Sequence, residues 1–243
     1  EDIDRLRLAA TSMLLEREDV IIVASVSCIY GLGSPEDFKN LVVPISVGTA
    51  IHRDELLKKL VAIQYSRTNA DLERGRFRVR GDILEILPAY DERVIRIEMW
   101  GDTIDRISLV DPLTGRVIRP LERSVIYPAK HFVTTEAKLE RACGSIRLEL
   151  EDRVAYFEST GKLLEAQRLR QRTEYDMEML RVLGYCPGIE NYTRHLTMRP
   201  AGERPFCLLD YFPKDFLCVI DESHVSVPQI GGMYEGDRSR KQT

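Results

Sequence analysis

The chain has 243 residues, of which 44% are hydrophobic and 30% are charged, a balance typical of a folded globular protein. Thirty-five basic residues stand against thirty-nine acidic ones, for a net charge of −4. This excludes binding of nucleic acid through bulk positive charge, although it leaves room for a local basic groove. No apolar run approaches the ~20 residues that span a bilayer, so we expect no membrane segment.

The ends and the cysteines indicate the setting of the chain. It opens at Glu1 without Met or a signal-peptide pattern and stops in a charged run, so we expect a piece of a longer polypeptide. Five cysteines without CxxC spacing favour neither a disulfide scaffold nor a zinc site. We expect buried free thiols, with Cys143 on a helix stripe and Cys218 inside a strand, and a reducing, cytoplasmic location.

In chain order, the first segment predicts a helix followed by a buried strand. Residues 3–18 have helical periodicity, and the continuous apolar run Val20–Ala24 is typical of a strand buried on both faces of a parallel sheet. Ser25–Gly33 is rich in small polar residues and glycines, as at the sheet edge where α/β proteins bind ligands. Ser34–Asp37 then predicts a capped helix start.

From about residue 42 the pattern changes to period two. After a helix over 54–64, the runs Arg76–Arg80 and Ile95–Met99 alternate apolar and charged residues, with turn signals between and after them. This predicts an antiparallel meander set into an α/β frame, that is, an inserted α+β domain. The three predicted parts are residues 1–41, 42–131 and 132–243.

Helical periodicity returns at Thr134. One apolar stripe marks a long helix that Thr160 and Gly161 interrupt, and a second helix runs over residues 162–183 with Gly184 as its stop. The two helices most simply form an antiparallel hairpin.

Two strand-like runs follow a loop rich in Pro and Gly, at Phe206–Phe212 and Phe216–Ile220. The second ends in Asp221 and Glu222, an arrangement typical of the Walker B motif of P-loop ATPases. In that motif the Asp holds the water shell of Mg²⁺ and the Glu orients the attacking water. The alternative without a function is that the two acids lie in an ordinary exposed loop. The stretch Asp221–His224 has the DExH form of helicases.

The partner motif of an ATP site is absent from the sequence. A Walker A loop ends in Gly-Lys-Ser/Thr, whereas the only Gly-Lys pair, Gly161-Lys162, is followed by Leu163 and lacks the preceding glycine. We therefore expect this chain by itself neither to bind ATP tightly nor to hydrolyse it.

Arginines of the inserted domain form a second constellation, predicted to be a basic face on a small sheet. A solvated face with ordinary salt bridges is the plain alternative. The functional alternatives are contact with phosphates or docking of a protein, and both favour arginine. Glu98 and the lack of interleaved exposed aromatics favour a protein over single-stranded nucleic acid. The members of the predicted face are Arg67, Arg74, Arg78, Arg80, Arg96 and Glu98.

His195 and His224 have no Cys or acid at metal-ligand spacing, so satisfied or exposed histidines are expected. No Ser-His-Asp or Cys-His arrangement stands out from the sequence.

Seven stretches carry a family resemblance, in this order: Val23–Gly33, Phe77–Asp82, Asp111–Gly115, Gly161–Leu169, Gly188–Tyr192, Leu208–Phe212 and Asp221–Tyr234. Together they resemble the UvrB family of excinuclease components in bacterial nucleotide excision repair. The resemblance implies part of a P-loop, RecA-like helicase domain with a long helical hairpin, interrupted by the inserted domain. It also implies an ATP- and Mg²⁺-dependent protein that UvrA loads onto damaged DNA and that recruits UvrC.

The resemblance assigns roles to particular residues. Asp221 and Glu222 would be the Walker B acids, with Asp221 holding Mg²⁺ through water. The inserted domain would dock UvrA through the six members of the predicted basic face. Four further positions match sites that contact DNA or support the family's hairpin: Phe132, Arg172, Glu190 and Gln229. The Walker A loop, the family's β-hairpin and the UvrC-binding part would lie outside this sequence.

A rival interpretation comes from transcription-repair coupling proteins, which carry a similar UvrA-docking region without a working ATP site. The Asp221–His224 stretch argues against it, because a pure docking module does not need a Walker B acid pair.

Overall fold

The computed structural model describes residues 2–29 and 31–242, with residues 237–242 described by their backbone alone. Glu1, Tyr30 and Thr243, which the predicted ranges include, lie outside the described residues. The helices are α1 (Asp2–Glu16), α2 (Pro35–Asn40), α3 (Arg53–Ala62), α4 (Glu136–Ser159), α5 (Leu163–Leu183), α6 (Thr193–Leu196) and α7 (Ser223–Gln242). The strands are β1 (Val43–Ser46), β2 (Ser66–Arg67), β3 (Arg76–Arg80), β4 (Ile83–Leu87), β5 (Val94–Trp100), β6 (Thr103–Val110), β7 (Val117–Leu121) and β8 (Arg123–Ile126). Short 3₁₀ helices lie at Val26–Ile29, Ile189–Tyr192 and Leu208–Tyr211.

The predicted meander is confirmed as a six-stranded sheet in the order β2-β3-β4-β5-β6-β7. Every neighbouring pair is antiparallel except β2 and β3, which run parallel. Strands β1 and β8 form a separate antiparallel pair that brings the entry and exit of this region together. The sheet is therefore built from contacts within residues 43–126.

Alternation along the strands decides which face of the sheet is buried. One face, called here the inner face, packs Ile86, Ile97 and Ile107 against Leu56 and Leu60 of α3, and all five side chains are fully buried. Burial of each such side chain contributes about 1.5–3 kcal/mol. The opposite face, called the outer face, carries the charged residues of β3 and β5.

The predicted hairpin is also confirmed. Cys143, Ile146 and Leu150 of α4 share a buried cluster with Met177 and Leu180 of α5. The second helix ends as predicted, because Gly184 has a φ of 66° and its N–H donates to the Leu180 carbonyl at 2.8 Å. A non-glycine residue would be strained in that left-handed conformation.

The short helix α2 links the two long regions. Its N-cap is Ser34, whose hydroxyl accepts from the Asp37 N–H, and Pro35 follows at the first helical position, as predicted. Asp37 in turn accepts from Lys138 of α4 at 2.5 Å. Phe38 is fully buried among residues of α1 and the exit of the sheet region.

The predictions of three strands outside the sheet are wrong for this chain. Val20–Ala24 and Phe216–Ile220 have no regular structure, and Ile21 and Leu217 are 94% and 89% exposed. In the third run, Phe206–Phe212, Phe206 forms a single bridge with Leu32 and most of the rest is a 3₁₀ helix. Within the described residues no strand lies beside these runs, and an isolated strand does not form without partners.

The missing strand also makes the prediction for one cysteine wrong. Cys218 is exposed rather than buried, because the strand predicted around it is absent, whereas Cys143 is fully buried as predicted. The fold class is confirmed as mixed α/β, with an antiparallel sheet and long helices.

Candidate functional site

The outer face of the sheet gathers four of the six predicted arginine-face residues. The strand register sets Arg78 beside Glu85 and Glu85 beside Arg96, which makes one row across β3, β4 and β5. A second row holds Arg80, Ile83 and Glu98. Side chains directly opposite each other on neighbouring strands lie within contact distance.

Glu85 is the centre of the first row, and sequence reasoning missed it. Its side chain is 8% exposed; Oε2 accepts from Arg78 Nε at 2.6 Å, and Oε1 accepts from Arg96 Nη2 at 2.8 Å and Nε at 3.1 Å. Burial alone would raise the pKa of Glu85, but the hydrogen bonds and charges of Arg78 and Arg96 outweigh it and hold this pKa below its ordinary value. An acid inside the apolar run Ile83–Leu87 was the available signal.

The second row is more open. Arg80 is exposed, Ile83 is 38% exposed, and Glu98 lies 3.7 Å from Arg106 of β6. Trp100 follows Glu98 at the end of β5 and is 82% exposed. Trp100 is thus an exposed aromatic near the arginines, where none was expected interleaved with them, and its position beside the Gly101-Asp102 turn was the signal that could have found it.

Arg67 and Arg74 do not belong to the outer face, which corrects the prediction of a single basic face. Arg67 pairs with Phe77, whose ring lies in the core, and is exposed because β2 is the edge strand of the sheet. Arg74 precedes β3 and forms an ion pair with Asp2 of α1 at 3.3 Å. Its contact therefore joins the sheet region to the first helix.

The predicted Walker B acids lie in the turn directly before α7. Asp221 and Glu222 are both exposed, and Glu222 has a φ of 47°. The Glu222 carboxylate is 3.5 Å from His224, and its carbonyl accepts from the Val225 N–H at 2.8 Å. The two carboxylates are adjacent and open to solvent, but they do not follow a strand in this chain, since Phe216–Ile220 is unpaired.

No phosphate cradle accompanies these acids in the described ranges. Gly161 has a φ of 75°, and the Lys162 N–H donates to the Phe157 carbonyl at 2.8 Å, so this pair forms the turn of the helical hairpin. Within residues 2–29 and 31–236, no three His, Cys, Asp or Glu side chains cluster as metal ligands. Among the residues that the structure describes, the adjacent carboxylates of Asp221 and Glu222 are therefore not accompanied by a phosphate loop.

Four residues were expected to contact DNA or to support the family's β-hairpin, and two of them, Arg172 and Glu190, lie near Tyr192. Arg172 Nε lies 3.7 Å from Asp176, which accepts from the Tyr192 hydroxyl at 2.7 Å, and Glu190 is exposed in the same 3₁₀ helix as Tyr192.

Phe132 and Gln229 lie elsewhere. Phe132 is partly buried against the apolar cluster of α4 and α5, and it lines a small cleft with Ile189 and Leu196. Its ring therefore contributes to packing. Gln229 is exposed on α7.

The histidines are held or exposed, as expected from the sequence. Ser145 Oγ lies 2.8 Å from His195 Nδ1, and Glu149 Oε2 lies 2.6 Å from Nε2. Burial, together with the charge of Arg194, lowers the pKa of His195, while Glu149 opposes the shift. His224 is exposed beside Glu222.

Together, these elements define a class of chain in which an antiparallel sheet domain with a charged outer face is joined to a helical hairpin. None of the described helices is both long and apolar enough to cross a membrane.

Comparison with known proteins agrees with this class. A family model described as the UvrB interaction domain matches residues 43–132, and one described as the UvrB third helical domain matches residues 137–198. The chain is 63% identical to UvrABC system protein B of Leptospira biflexa over 100% of its length and 60% identical to that of Gemmatimonas aurantiaca. It is 58% identical to that of Gloeobacter violaceus over 99% of its length.

The chain belongs to the UvrB family. It spans 37%, 35% and 35% of the lengths of these three curated relatives.

Proposed function

We propose that the longer protein of which this chain is a part acts in nucleotide excision repair, and that this chain docks UvrA through the outer face. The observation that carries the proposal is the combination of Arg80, Ile83 and Trp100 on one exposed side of the sheet. Tryptophan and arginine are the residues that most often dominate protein interfaces. The relatives' name, UvrABC system protein B, and the interaction-domain match support UvrA as the partner.

Charge reversal at Arg80 tests the docking face. Arg80→Glu should weaken binding of purified UvrA at least ~10-fold, because it replaces a cation of the contact surface with an acid in the same row as Glu98. Trp100→Ala should weaken binding by a similar factor, since truncation of an interface tryptophan costs roughly 2 kcal/mol or more. Both side chains are exposed, so circular dichroism and thermal unfolding should match those of the parent chain.

Arg168→Glu is the matched control, because Arg168 lies on the exposed side of α5 in the hairpin. UvrA affinity is measured by titration calorimetry at two salt concentrations. Unchanged affinity of both outer-face variants would refute the docking face. Equal losses in the outer-face variants and in the control would show a nonspecific charge effect instead.

We further propose that Asp221 and Glu222 serve as the Walker B acids of an ATP site in the longer protein. Two adjacent exposed carboxylates suit a hydrated Mg²⁺. The described residues supply no phosphate loop, so the proposal concerns the longer protein and not this chain alone. When bound there, ATP would supply the free energy for work on DNA.

The remaining parts of this proposal follow from the family. Arg172 and Glu190 around Tyr192, with Phe132 and Gln229, would contribute to damaged-DNA contact or its support, and the longer protein would recruit UvrC. A cytoplasmic location belongs to the same proposal. A docking module without an ATP site is the less favoured candidate, because the three relatives compared above are named UvrABC system protein B.

A further inference from the structure

Glu85 occupies a central position on the outer face. It lies on β4, directly opposite Arg78 of β3 and directly opposite Arg96 of β5. One acid is therefore flanked on both sides by arginines, at the distance where opposite charges on neighbouring strands interact. We call these three residues the outer-face trio.

The hydrogen bonds within the trio engage both carboxylate oxygens of Glu85 but only some of the N–H donors of each arginine. Glu85 gives one oxygen to each guanidinium. A guanidinium carries five N–H donors. Arg78 uses one of them and Arg96 uses two, so four and three N–H groups, respectively, are not bonded to Glu85.

Exposure divides the trio in the same way. The Glu85 side chain is 8% exposed, whereas those of Arg78 and Arg96 are 23% and 24% exposed. The trio therefore presents two fixed guanidinium groups and a formal charge of +1 to the surface, with its acid beneath. Such an array matches a carboxylate, which accepts parallel N–H donors from arginine.

One end of the outer face is apolar rather than charged. There, Leu87, Val94 and Val110 form an apolar cluster covered by Leu72. Replacement of a buried ion network by apolar residues is often neutral or stabilising, so an ion network is weak evidence for a purely structural role. On its other side, the trio borders the exposed Ile83 and the end of β5 that bears Trp100.

We propose that Glu85 is a positioning residue that fixes Arg78 and Arg96 as a preformed pair, and that this pair receives an acidic side chain of the docking partner. The inference rests on the proposed docking of UvrA at this face. Without Glu85, the two long side chains would be free to separate and would need to be ordered again on binding. Such ordering weakens association.

The test compares Glu85→Gln in two backgrounds. In the parent chain, Glu85→Gln keeps the shape of the side chain but removes its charge, and we expect roughly 10-fold weaker binding of purified UvrA. In an Arg78→Gln/Arg96→Gln background, the same change should alter the affinity less than about 2-fold, because the residues through which Glu85 acts are absent. Glu55→Gln on α3 is the matched control at an exposed ion pair.

A spectroscopic measurement separates positioning from simple stability. With ¹⁵N-labelled arginine and no partner present, the Nε–H resonances of Arg78 and Arg96 should be sharp in the parent chain and broadened in Glu85→Gln. If Glu85→Gln does not fold, Glu85→Asp is tested in its place. It keeps the charge, but its shorter side chain should contact only one of the two arginines. An intermediate loss of UvrA affinity is then expected.

The outcomes distinguish this inference from the proposed function. If Arg80→Glu and Trp100→Ala leave UvrA binding unchanged, docking at this face is wrong and the inference fails with it. If they weaken binding while Glu85→Gln does not, or if Glu85→Gln has the same effect in both backgrounds, only the positioning role is overturned.

Discussion

His131 should make the stability of this chain depend on pH. The ring lies where the chain leaves the sheet region, stacked on Phe38 at a centroid distance of 6.0 Å, and its Nε2 is 3.3 Å from Thr11 Oγ1. Burial, with a smaller contribution from the charge of Arg7, lowers the pKa of His131 from 6.5 to about 4. Protonation of the folded protein is therefore unfavourable at pH 5, where the unfolded chain readily binds the proton.

The sign and size follow from this gap. The pKa of His131 is lower in the folded state than in the unfolded state. The contribution of His131 to the free energy of unfolding is therefore complete above about pH 6.5 and falls as the pH drops toward 4. The gap corresponds to about 3 kcal/mol of unfolding free energy, of which about 2 kcal/mol is lost by pH 5. The lowered pKa of His195 adds a loss of the same sign.

Urea unfolding at pH 8 and at pH 5 measures the effect. The His131→Gln variant should show a difference in unfolding free energy between the two pH values that is about 2 kcal/mol smaller than that of the parent chain. His224→Gln, at an exposed ring, is the control and should keep the parent's difference. An identical pH dependence in His131→Gln and the parent chain would refute the reasoning.

Two further changes test the packing and the proposed ATP site. Gly33→Ala should destabilise the chain by about 2 kcal/mol or more in urea unfolding, because the new Cβ would lie 2.0 Å from the His131 carbonyl oxygen. Gly144→Ala, in α4 with nothing within 4 Å, should instead stabilise it by about 0.5–1 kcal/mol, and shifts of the same sign would contradict this account. In the longer protein, Glu222→Gln should preserve ATP binding and abolish turnover in a phosphate-release assay, whereas retained turnover would show that another residue orients the attacking water.

The regions that the sequence predicted well have their partners close by in the chain. Arg76–Arg80 pairs with Ile83–Leu87 across a two-residue turn, and α4 packs against α5 across a short connection. Periodicity of two or 3.6 then identifies both the element and its buried face. Gly184 at the end of α5 needed only local backbone geometry.

The apolar runs Val20–Ala24 and Phe216–Ile220 show where such reasoning fails. Their composition is typical of buried strands, but strand formation depends on hydrogen bonds to neighbours distant in sequence. In the described residues they have no such neighbours, and most of their side chains are exposed, although Val20 and Ile22 are partly buried. Asp221 and Glu222 therefore do not follow the strand that was expected to position them.

The sequence by itself determined the alternation that separates the inner from the outer face, the helical hairpin and the residues that resemble the UvrB family. Only the tertiary structure decided which charges meet. Strand register placed Glu85 between Arg78 and Arg96, moved Arg67 to the sheet edge, and left Trp100 exposed at the end of β5. The physical reason is that periodicity assigns a side chain to a face, whereas its neighbours on that face come from other strands, whose register no single strand encodes.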